Sequence, residues 1–326
     1  MLEEVKASGR PIVVSFSGGK DSTAMAIWLV NNKVHETNKI YWAFADTGWE
    51  HPSVYEYVEH INKTLFNGEL NRVVSKAHPN GMPDLIRNQG RFPSRKARMC
   101  TRELKIFPLR DFVREIAEKH APERPINCVG IRAAESEARS ALLEWEPGTK
   151  LETAKKRIDL CDTWRPLISA VVADIIKIHN DAGIKPCELY LRDKNFSTRV
   201  GCYPCIYEHK KSIRAVAETW PERIDQIREL EKEVEGMAKK RYAEKGETFE
   251  SLGLAPPTFF MSKDFHRDGS LFMDIDKVVA WSKTEKGGRQ FGFNILGEAF
   301  APSEEEKGCE MWGLCELTEA VNDEGS

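Results

Sequence analysis

A polar hexapeptide near the N-terminus, SGGKDS, stands between two apolar segments. Residues 11–16 predict a buried strand, and residues 20–32 predict a helix. A strand, a glycine turn and a helix N-terminus form an anion site, because backbone N–H groups and the helix dipole point at the ligand. Gly18 and Gly19 allow positive φ angles and a close approach of that ligand. Lys20 adds a positive charge, and Ser17 and Ser22 add hydroxyl donors.

The anion favoured by this pattern is a phosphate. The loop is not a Walker A loop, which requires Gly-x-x-x-x-Gly-Lys-Ser/Thr. A polar strand-to-helix turn with a good cap is the plain alternative. Six suitable residues between a strand and a helix favour phosphate binding over that alternative.

A basic segment follows at residues 91–110, with one acidic residue, Glu103. Such a segment suits a nucleic acid or the phosphates of a nucleotide, and a solvated basic face is the ordinary alternative. Cys100 lies within it, and we expect the nearby cations to lower the pKa of this thiol. The thiol is then either reactive or part of a nucleotide pocket. The cations are Arg91, Arg95, Lys96, Arg98, Arg102, Lys105 and Arg110.

Two separated cysteine pairs are candidates for a metal site. Cys202 and Cys205 form a C-x-x-C motif, and Cys309 and Cys315 form a wider pair. Four thiolates suit Zn²⁺ or an iron–sulfur cluster, although the second spacing is loose for a zinc ribbon. A redox dithiol at the first pair is a further possibility. Among the other cysteines, Cys128 lies in an apolar strand and is expected in the core.

Alternating strands and helices must position these residues. Strands are predicted at 11–16, 39–46, 72–77 and 126–131, and helices at 20–32, 52–66 and 101–119. This order predicts an α/β fold, an open and mostly parallel sheet with helices on both faces. Ligands bind at the carboxyl ends of such strands, where the glycine loop lies. We predict a nucleotide-binding domain at 1–200 and a helical, cysteine-containing region at 201–326, partly packed on it. Within that region, residues 221–245 predict an exposed, highly charged helix.

Composition narrows the functional classes. The chain has 326 residues, 41% of them hydrophobic and 30% charged, as expected of a water-soluble globular protein. The net charge of −3 gives no general indication of a polyanion partner. No secretory segment or apolar run long enough for a bilayer is evident, so we expect a cytoplasmic protein without a membrane partner.

SGGKDS resembles the signature of the PP-loop ATP pyrophosphatase superfamily. Further motifs resemble the phosphoadenosine phosphosulfate reductase-like subgroup of that superfamily, and together they span about residues 10–215. These motifs are Asp46-Thr47-Gly48 with Glu50, the segment from Cys100 to Lys105, Gly130-Ile131-Arg132 with Glu135, Ser136 and Arg139, Arg165-Pro166-Leu167, and the segment from Arg199 to Cys205.

The resemblance implies roles for individual residues. ATP would be held by Ser15, Ser17, Gly18, Gly19, Lys20, Asp21, Ser22, Asp46, Thr47, Gly130 and Arg132. Lys20, Asp21, Lys105 and Arg132 would be the catalytic residues. Asp46 is suited to Mg²⁺ or a ribose hydroxyl, although a strand-end turn explains it as well. Lys105 and Arg132 are suited to neutralise a leaving pyrophosphate.

The resemblance also implies a reaction. An acceptor is adenylated by ATP and pyrophosphate leaves, as in the ATP-pyrophosphatase component of DNA phosphorothioation systems or in tRNA thiolases. The acceptor would be a nucleic acid, DNA or tRNA, although a small molecule stays open. Sulfur would then replace AMP, supplied by a donor protein such as a cysteine desulfurase. Resemblance favours a [4Fe-4S] cluster at Cys202, Cys205, Cys309 and Cys315, with Zn²⁺ as the alternative.

Two other functions stay open. A phosphoadenosine phosphosulfate or adenosine phosphosulfate reductase would produce sulfite. Such reductases usually have a degenerate loop and a Glu-Cys-Gly-Leu-His tail, whereas this chain has an intact loop and the sequence GLCELTEA. The third possibility is a nucleotide-binding scaffold without turnover.

Overall fold

Five adjacent strands of the sheet are parallel, and the central one, β1, leads into the loop. The structure, a computed structural model, describes residues 1–94, 97–153, 156–190, 200–260 and 274–284. The sheet has the order β3-β2-β1-β4-β6-β5. Its strands are β1 (Ile12–Phe16), β2 (Ile40–Ala45), β3 (Leu70–Val73), β4 (Ile126–Val129), β5 (Trp145–Thr153) and β6 (Lys156–Trp164).

Twelve α-helices occur in the described part of the chain. They are α1 (Leu2–Ser8), α2 (Lys20–Asn31), α3 (Val34–Thr37), α4 (Pro52–Thr64), α5 (Met82–Gln89), α6 (Met99–Thr101), α7 (Phe107–Lys119), α8 (Glu137–Ser140), α9 (Val172–Asp181), α10 (Lys210–Thr219), α11 (Pro221–Ala243) and α12 (Ile275–Ser282). A π-helical turn, Arg102–Ile106, joins α6 to α7. Short 3-10 turns lie at Ala133–Glu135 and Glu188–Tyr190.

Alternate residues of β1 belong to two different apolar clusters, one on each face of the sheet. Ile12, Val14 and Phe16 belong to the larger apolar cluster, and Val13 belongs to a second cluster with Val113 of α7. Since successive strand residues point to opposite faces, helices cover the sheet on both sides. The predicted α/β fold is confirmed.

β1 lies between β2 and β4, and this position determines where a ligand-binding crevice can form. The chain leaves β1 towards β2 on one side and later returns to β4 on the other. Such a reversal of strand order opens a crevice at the carboxyl ends of the two central strands. The loop 17–19 and the segment after β4 both begin at that edge.

One predicted element is wrong in its exposure, and two strands were not predicted. The unpredicted strands are β5 and β6, of which β6 pairs in parallel with β4 and continues the sheet. The helix predicted at 221–245 was expected to be exposed, but one face of α11 buries Ile227, Leu230 and Val234. Residues from this part of the chain lie in the same apolar cluster as β1. The domain boundary at residue 200 stays a prediction.

Candidate functional site

The loop after β1 is held in shape by its own side chains. Gly18 has a φ of 72°, while Gly19 has a φ of −80° and precedes α2, so only one of the two glycines uses the left-handed region. The hydroxyl of Ser22 accepts a hydrogen bond from Ser17 N at 3.2 Å and donates to Gly19 O at 3.0 Å. The hydroxyls of Ser17 and Ser22 are 3.0 Å apart. The loop is therefore ordered by internal hydrogen bonds.

Gly130, the residue after β4, lies directly against this loop. A Cβ atom built there would be 2.9 Å from Ser22 Cα and 3.1 Å from Asp21 O. Both contacts are with backbone atoms, which cannot rotate away. The position therefore requires glycine for a steric reason, since any side chain would push the loop away from β4.

Asp21 holds two cations at the start of α2. Its Oδ1 accepts from Arg132 Nε at 2.5 Å, and its Oδ2 lies 3.5 Å from Lys20 Nζ. Arg132 is 1% exposed and Lys20 is 8% exposed. Two largely buried cations beside the helix N-terminus suit a phosphate group.

Two residues that the sequence analysis missed support the loop from α9 and the turn after it. His179 Nε2 lies 2.9 Å from Lys20 O, and His179 Nδ1 lies 2.9 Å from Ile184 O. Burial lowers the pKa of His179, although these carbonyl contacts act in the opposite direction. Tyr190 Oη accepts from Lys20 N at 3.3 Å. A histidine on the same helix face as Val172, Ile175 and Ile176 was the signal available in the sequence.

Asp46 and Thr47 follow β2, and both form hydrogen bonds with other residues of the protein. Asp46 Oδ1 accepts from Gly48 N at 2.9 Å and from Tyr55 Oη at 2.8 Å, and Asp46 Oδ2 pairs with Arg72 Nε at 3.0 Å. Burial, followed by the charge of Glu50, raises the pKa of Tyr55. Mg²⁺ at Asp46 would have to replace at least the exposed guanidinium of Arg72.

Glu50 forms a second buried network with Thr47. It is 3% exposed and accepts from Thr47 Oγ1 at 2.7 Å and from Trp49 N at 3.3 Å. Thr47 Oγ1 is also 3.7 Å from Cys202 Sγ, and Glu50 pairs with Cys202 in an isolated β-bridge. Thr47 therefore connects the end of β2 to the C-x-x-C segment.

Lys105 lies among thiols. The charge of Cys202 is the largest influence raising the pKa of Lys105, and burial opposes it; Glu50, Cys205 and Cys100 add to the increase. We call Cys100, Cys202 and Cys205 around Lys105 the thiol cluster. The segments that carry it touch, since the Arg98 guanidinium lies 5.4 Å from the centre of the Tyr207 ring. These neighbours of Cys100 were not predicted from the sequence.

The pKa expected for Cys100 is wrong in direction. Burial raises the pKa of this thiol, and the charge of Cys202 raises it further; Lys105 and hydrogen bonds with Thr101 only reduce the shift. Burial likewise raises the pKa of Cys205 to about 11. Desolvation therefore exceeds the effect of the neighbouring Lys105.

A metal site is not complete in the described part of the chain. No group of three or more histidine, cysteine or acidic side chains there is arranged to hold a metal ion. Cys202 and Cys205 are near each other, whereas Cys309 and Cys315 lie outside the described residues. The described donors alone therefore do not fit a [4Fe-4S] cluster or a zinc ion, and the four-cysteine set stays a prediction.

The other predicted site residues divide between the surface and the interior. Ser15 lies within β1 and pairs with Ala43 and Val129. Arg91, Arg98 and Arg102 are exposed. Arg110 is largely buried against the Phe107 ring, 4.4 Å from its centre, while Arg95 and Lys96 are outside the described residues. The described cations of the basic segment thus divide between exposed and largely buried positions.

Comparison with known proteins identifies the family of this chain. Residues 11–208 match the phosphoadenosine phosphosulfate reductase domain. The chain belongs to this family. It is similar to an uncharacterized 37.8 kDa protein of Escherichia phage 186, with 30% identity over 331 residues that cover 86% of this chain and 90% of the phage protein. It is also 29% identical over 147 residues to the uncharacterized nin region protein ORF290 of Escherichia phage lambda, covering 38% of this chain and 48% of that protein.

Solved structures with a similar fold include two fungal enzymes. The phosphoadenylyl-sulfate reductase of Candida auris, in a phosphate complex, has a TM-score of 0.42 and 14% identity, covering 58% of this chain and 82% of that one. The FMN adenylyltransferase of Candida glabrata, in complex with ATP, has a TM-score of 0.39 and 16% identity, covering 60% and 53%. Family membership points to an enzyme of the PP-loop superfamily with a nucleotide-related activity. None of the helices in the described ranges is both long and apolar enough to span a bilayer.

Proposed function

We propose that the protein is an ATP pyrophosphatase that adenylates an acceptor. The observation that carries this proposal is the intact, internally hydrogen-bonded loop with Lys20 and Arg132 held beside it by Asp21. An oxygen of the acceptor attacks the α-phosphorus of ATP, the bond to the bridging oxygen breaks, and pyrophosphate leaves. Fixed cations at the loop suit the negative charge that the leaving pyrophosphate gains.

Mg²⁺ would accompany the phosphates, as is usual for this class of reaction. We propose DNA or tRNA as the acceptor, supported by the exposed guanidinium groups of Arg91, Arg98 and Arg102. The adenylated acceptor would then be prepared for sulfur insertion that depends on an iron–sulfur cluster and on a sulfur donor such as a cysteine desulfurase. Since the described donors do not complete a cluster site, we assign the cluster no step.

The experiment is an assay on anaerobically purified full-length protein. ATP and Mg²⁺ are supplied alone, with DNA or with tRNA, and pyrophosphate and AMP are measured. We expect pyrophosphate from ATP and a higher rate with one of the nucleic acids. No pyrophosphate under any of these conditions would contradict the proposal, and stimulation by neither nucleic acid would contradict the proposed acceptor.

A sulfonucleotide reductase is the second candidate, favoured by the family to which the chain belongs. The same preparation is given phosphoadenosine phosphosulfate or adenosine phosphosulfate with a thiol reductant. Sulfite without any pyrophosphate from ATP would support the reductase. A scaffold would bind ATP and produce neither product.

A further inference from the structure

Tyr190 brings a hydroxyl group to the first turn of α2. Its Oη accepts a hydrogen bond from Lys20 N at 3.3 Å and another from Val200 N at 3.2 Å. A Cβ atom built on Gly19 would lie 3.6 Å from the same oxygen. The ammonium of Lys20 is 5.4 Å from the centre of the Tyr190 ring, a cation–π distance. One side chain thus contacts both the backbone and the charge of the loop.

Within the described residues, the hydroxyl of Tyr190 accepts two hydrogen bonds and donates none. A tyrosine hydroxyl has two acceptor positions and one proton to donate. Lys20 N–H and Val200 N–H occupy both acceptor positions, and the described residues offer no acceptor for the proton. Burial raises the pKa of Tyr190, so the hydroxyl keeps its proton at neutral pH. The result is a fixed O–H donor at the loop.

We propose that Tyr190 donates this hydrogen bond to a phosphate oxygen held in the loop, as a binding residue for the pyrophosphate end of the nucleotide. The proposal rests on the proposed function, in which the loop holds that end of ATP. Two accepted N–H bonds polarise the phenol and strengthen it as a donor. The ring also positions the ammonium of Lys20, so Tyr190 would present two phosphate-binding groups together.

A contrary arrangement predicts the opposite effect. If the phenol instead occupied the place of the anion, a ligand would have to displace it, and removal of the hydroxyl would tighten binding. The sign of the change in pyrophosphate affinity therefore distinguishes a hydroxyl that donates to the bound anion from one that occupies the place of the anion.

The experiment compares the full-length wild type with Tyr190→Phe and Tyr57→Phe. Tyr190→Phe keeps the ring under Lys20 and removes only the hydroxyl. Tyr57 is a matched control, a buried tyrosine whose hydroxyl donates to Lys185 O at 3.0 Å. Calorimetric titrations use inorganic pyrophosphate, ATP and AMP, and the melting temperature of each variant is recorded.

We expect Tyr190→Phe to weaken the binding of pyrophosphate and ATP about tenfold, as for loss of a hydrogen bond to a charged group. The affinity for AMP and the melting temperature stay near the wild-type values, and Tyr57→Phe changes none of the three affinities. Unchanged or tighter pyrophosphate binding by Tyr190→Phe overturns the proposal. Equal weakening of all three ligands with a lower melting temperature overturns it too, because that is a structural effect.

Failure of the proposed function gives a different pattern. A wild type that binds neither pyrophosphate nor ATP overturns both proposals. A wild type that binds both ligands but releases no pyrophosphate from ATP contradicts the proposed function alone, and the comparison of Tyr190→Phe with the wild type still decides the role of the phenol.

Discussion

The loop after β1 and the thiol cluster around Lys105 are assembled in different ways. At the loop, six consecutive residues supply the glycine turn, the hydroxyls and a cation, and their main hydrogen bonds are with one another. Around Lys105, the thiols come from two distant segments and depend on Glu50 and Thr47 for contact with β2. A local motif can be recognised from its residues, whereas a group formed by tertiary contacts requires the fold.

The largest effect is expected at the loop. Lys20→Ala removes a cation that the structure buries beside the anion site. We expect pyrophosphate release to fall about 10²–10³-fold, the usual loss for a fixed group that stabilises transition-state charge. Lys177→Ala, an exposed lysine on α9, is the control and should leave the rate unchanged. A rate for Lys20→Ala equal to that of the control would place the chemistry elsewhere.

The thiol cluster gives the second test. If the predicted four cysteines hold a [4Fe-4S] cluster, Cys202→Ala and Cys205→Ala should each lose nearly all iron and sulfide during anaerobic purification. Cys161→Ala, a buried thiol on β6, should keep them, and so should Cys100→Ala, because Cys100 is outside the predicted set. Iron and sulfide analysis with an absorption spectrum checks this. Zinc in the wild type, or iron lost from Cys100→Ala, would revise the ligand set.

Much of the central fold could be predicted from the sequence because its signals are local. β1, β2 and β4 are short apolar runs, and α2 follows the glycine turn directly. The strand β6 was missed because charged residues interrupt its apolar pattern. Asp162, for example, is buried there only because it accepts from Gly148 N and pairs with Arg10 and Arg124. Those partners are distant in the sequence.

The same reason limited the prediction of the site. The roles of His179 and Tyr190 depend on contacts with Lys20, far away in the chain. Nothing in the residues near Tyr190 indicates a loop partner. The position of Cys100 beside the C-x-x-C pair likewise follows from the packing of α6 and the π-helical turn, and no pattern of spacing specifies it.

Gly130→Ala tests how closely β4 and the loop are joined. The added Cβ would meet backbone atoms of Asp21 and Ser22, so we expect a loss of about 3 kcal/mol in the free energy of unfolding, at the upper end for overpacking. Gly236→Ala in α11 is the matched control. Its Cβ would meet nothing within 4 Å, and a helical glycine replaced by alanine gains about 0.5–1 kcal/mol. Denaturant unfolding of both variants checks the sign, and equal stability of the two would contradict the close contact.

The smallest effect concerns neither region directly, and it tests whether the packing of α11 depends on pH. Glu231 of α11 is 8% exposed and accepts from Phe259 N and Ile275 N, both at 2.9 Å. Burial, opposed by these hydrogen bonds, raises the pKa of Glu231 to about 7, and the charges of Asp274 and Asp276 add to the increase. The folded state thus binds a proton more tightly than the unfolded state. The associated stability is fully present below the ordinary glutamate pKa and is lost as the pH rises through about 7.

Glu231→Gln removes this titration. Between pH 5, near the ordinary glutamate pKa, and pH 8, about one unit above the raised pKa of Glu231, we expect the wild type to lose at least about 1.4 kcal/mol more than the variant. Glu233→Gln on the same helix is the control, because Arg87 lowers the pKa of that exposed carboxyl and its titration has the opposite sign. Thermal unfolding across this pH range measures the difference. Parallel curves for wild type and Glu231→Gln would mean that water or rearranged donors compensate the buried charge, and that the packing of α11 is independent of pH.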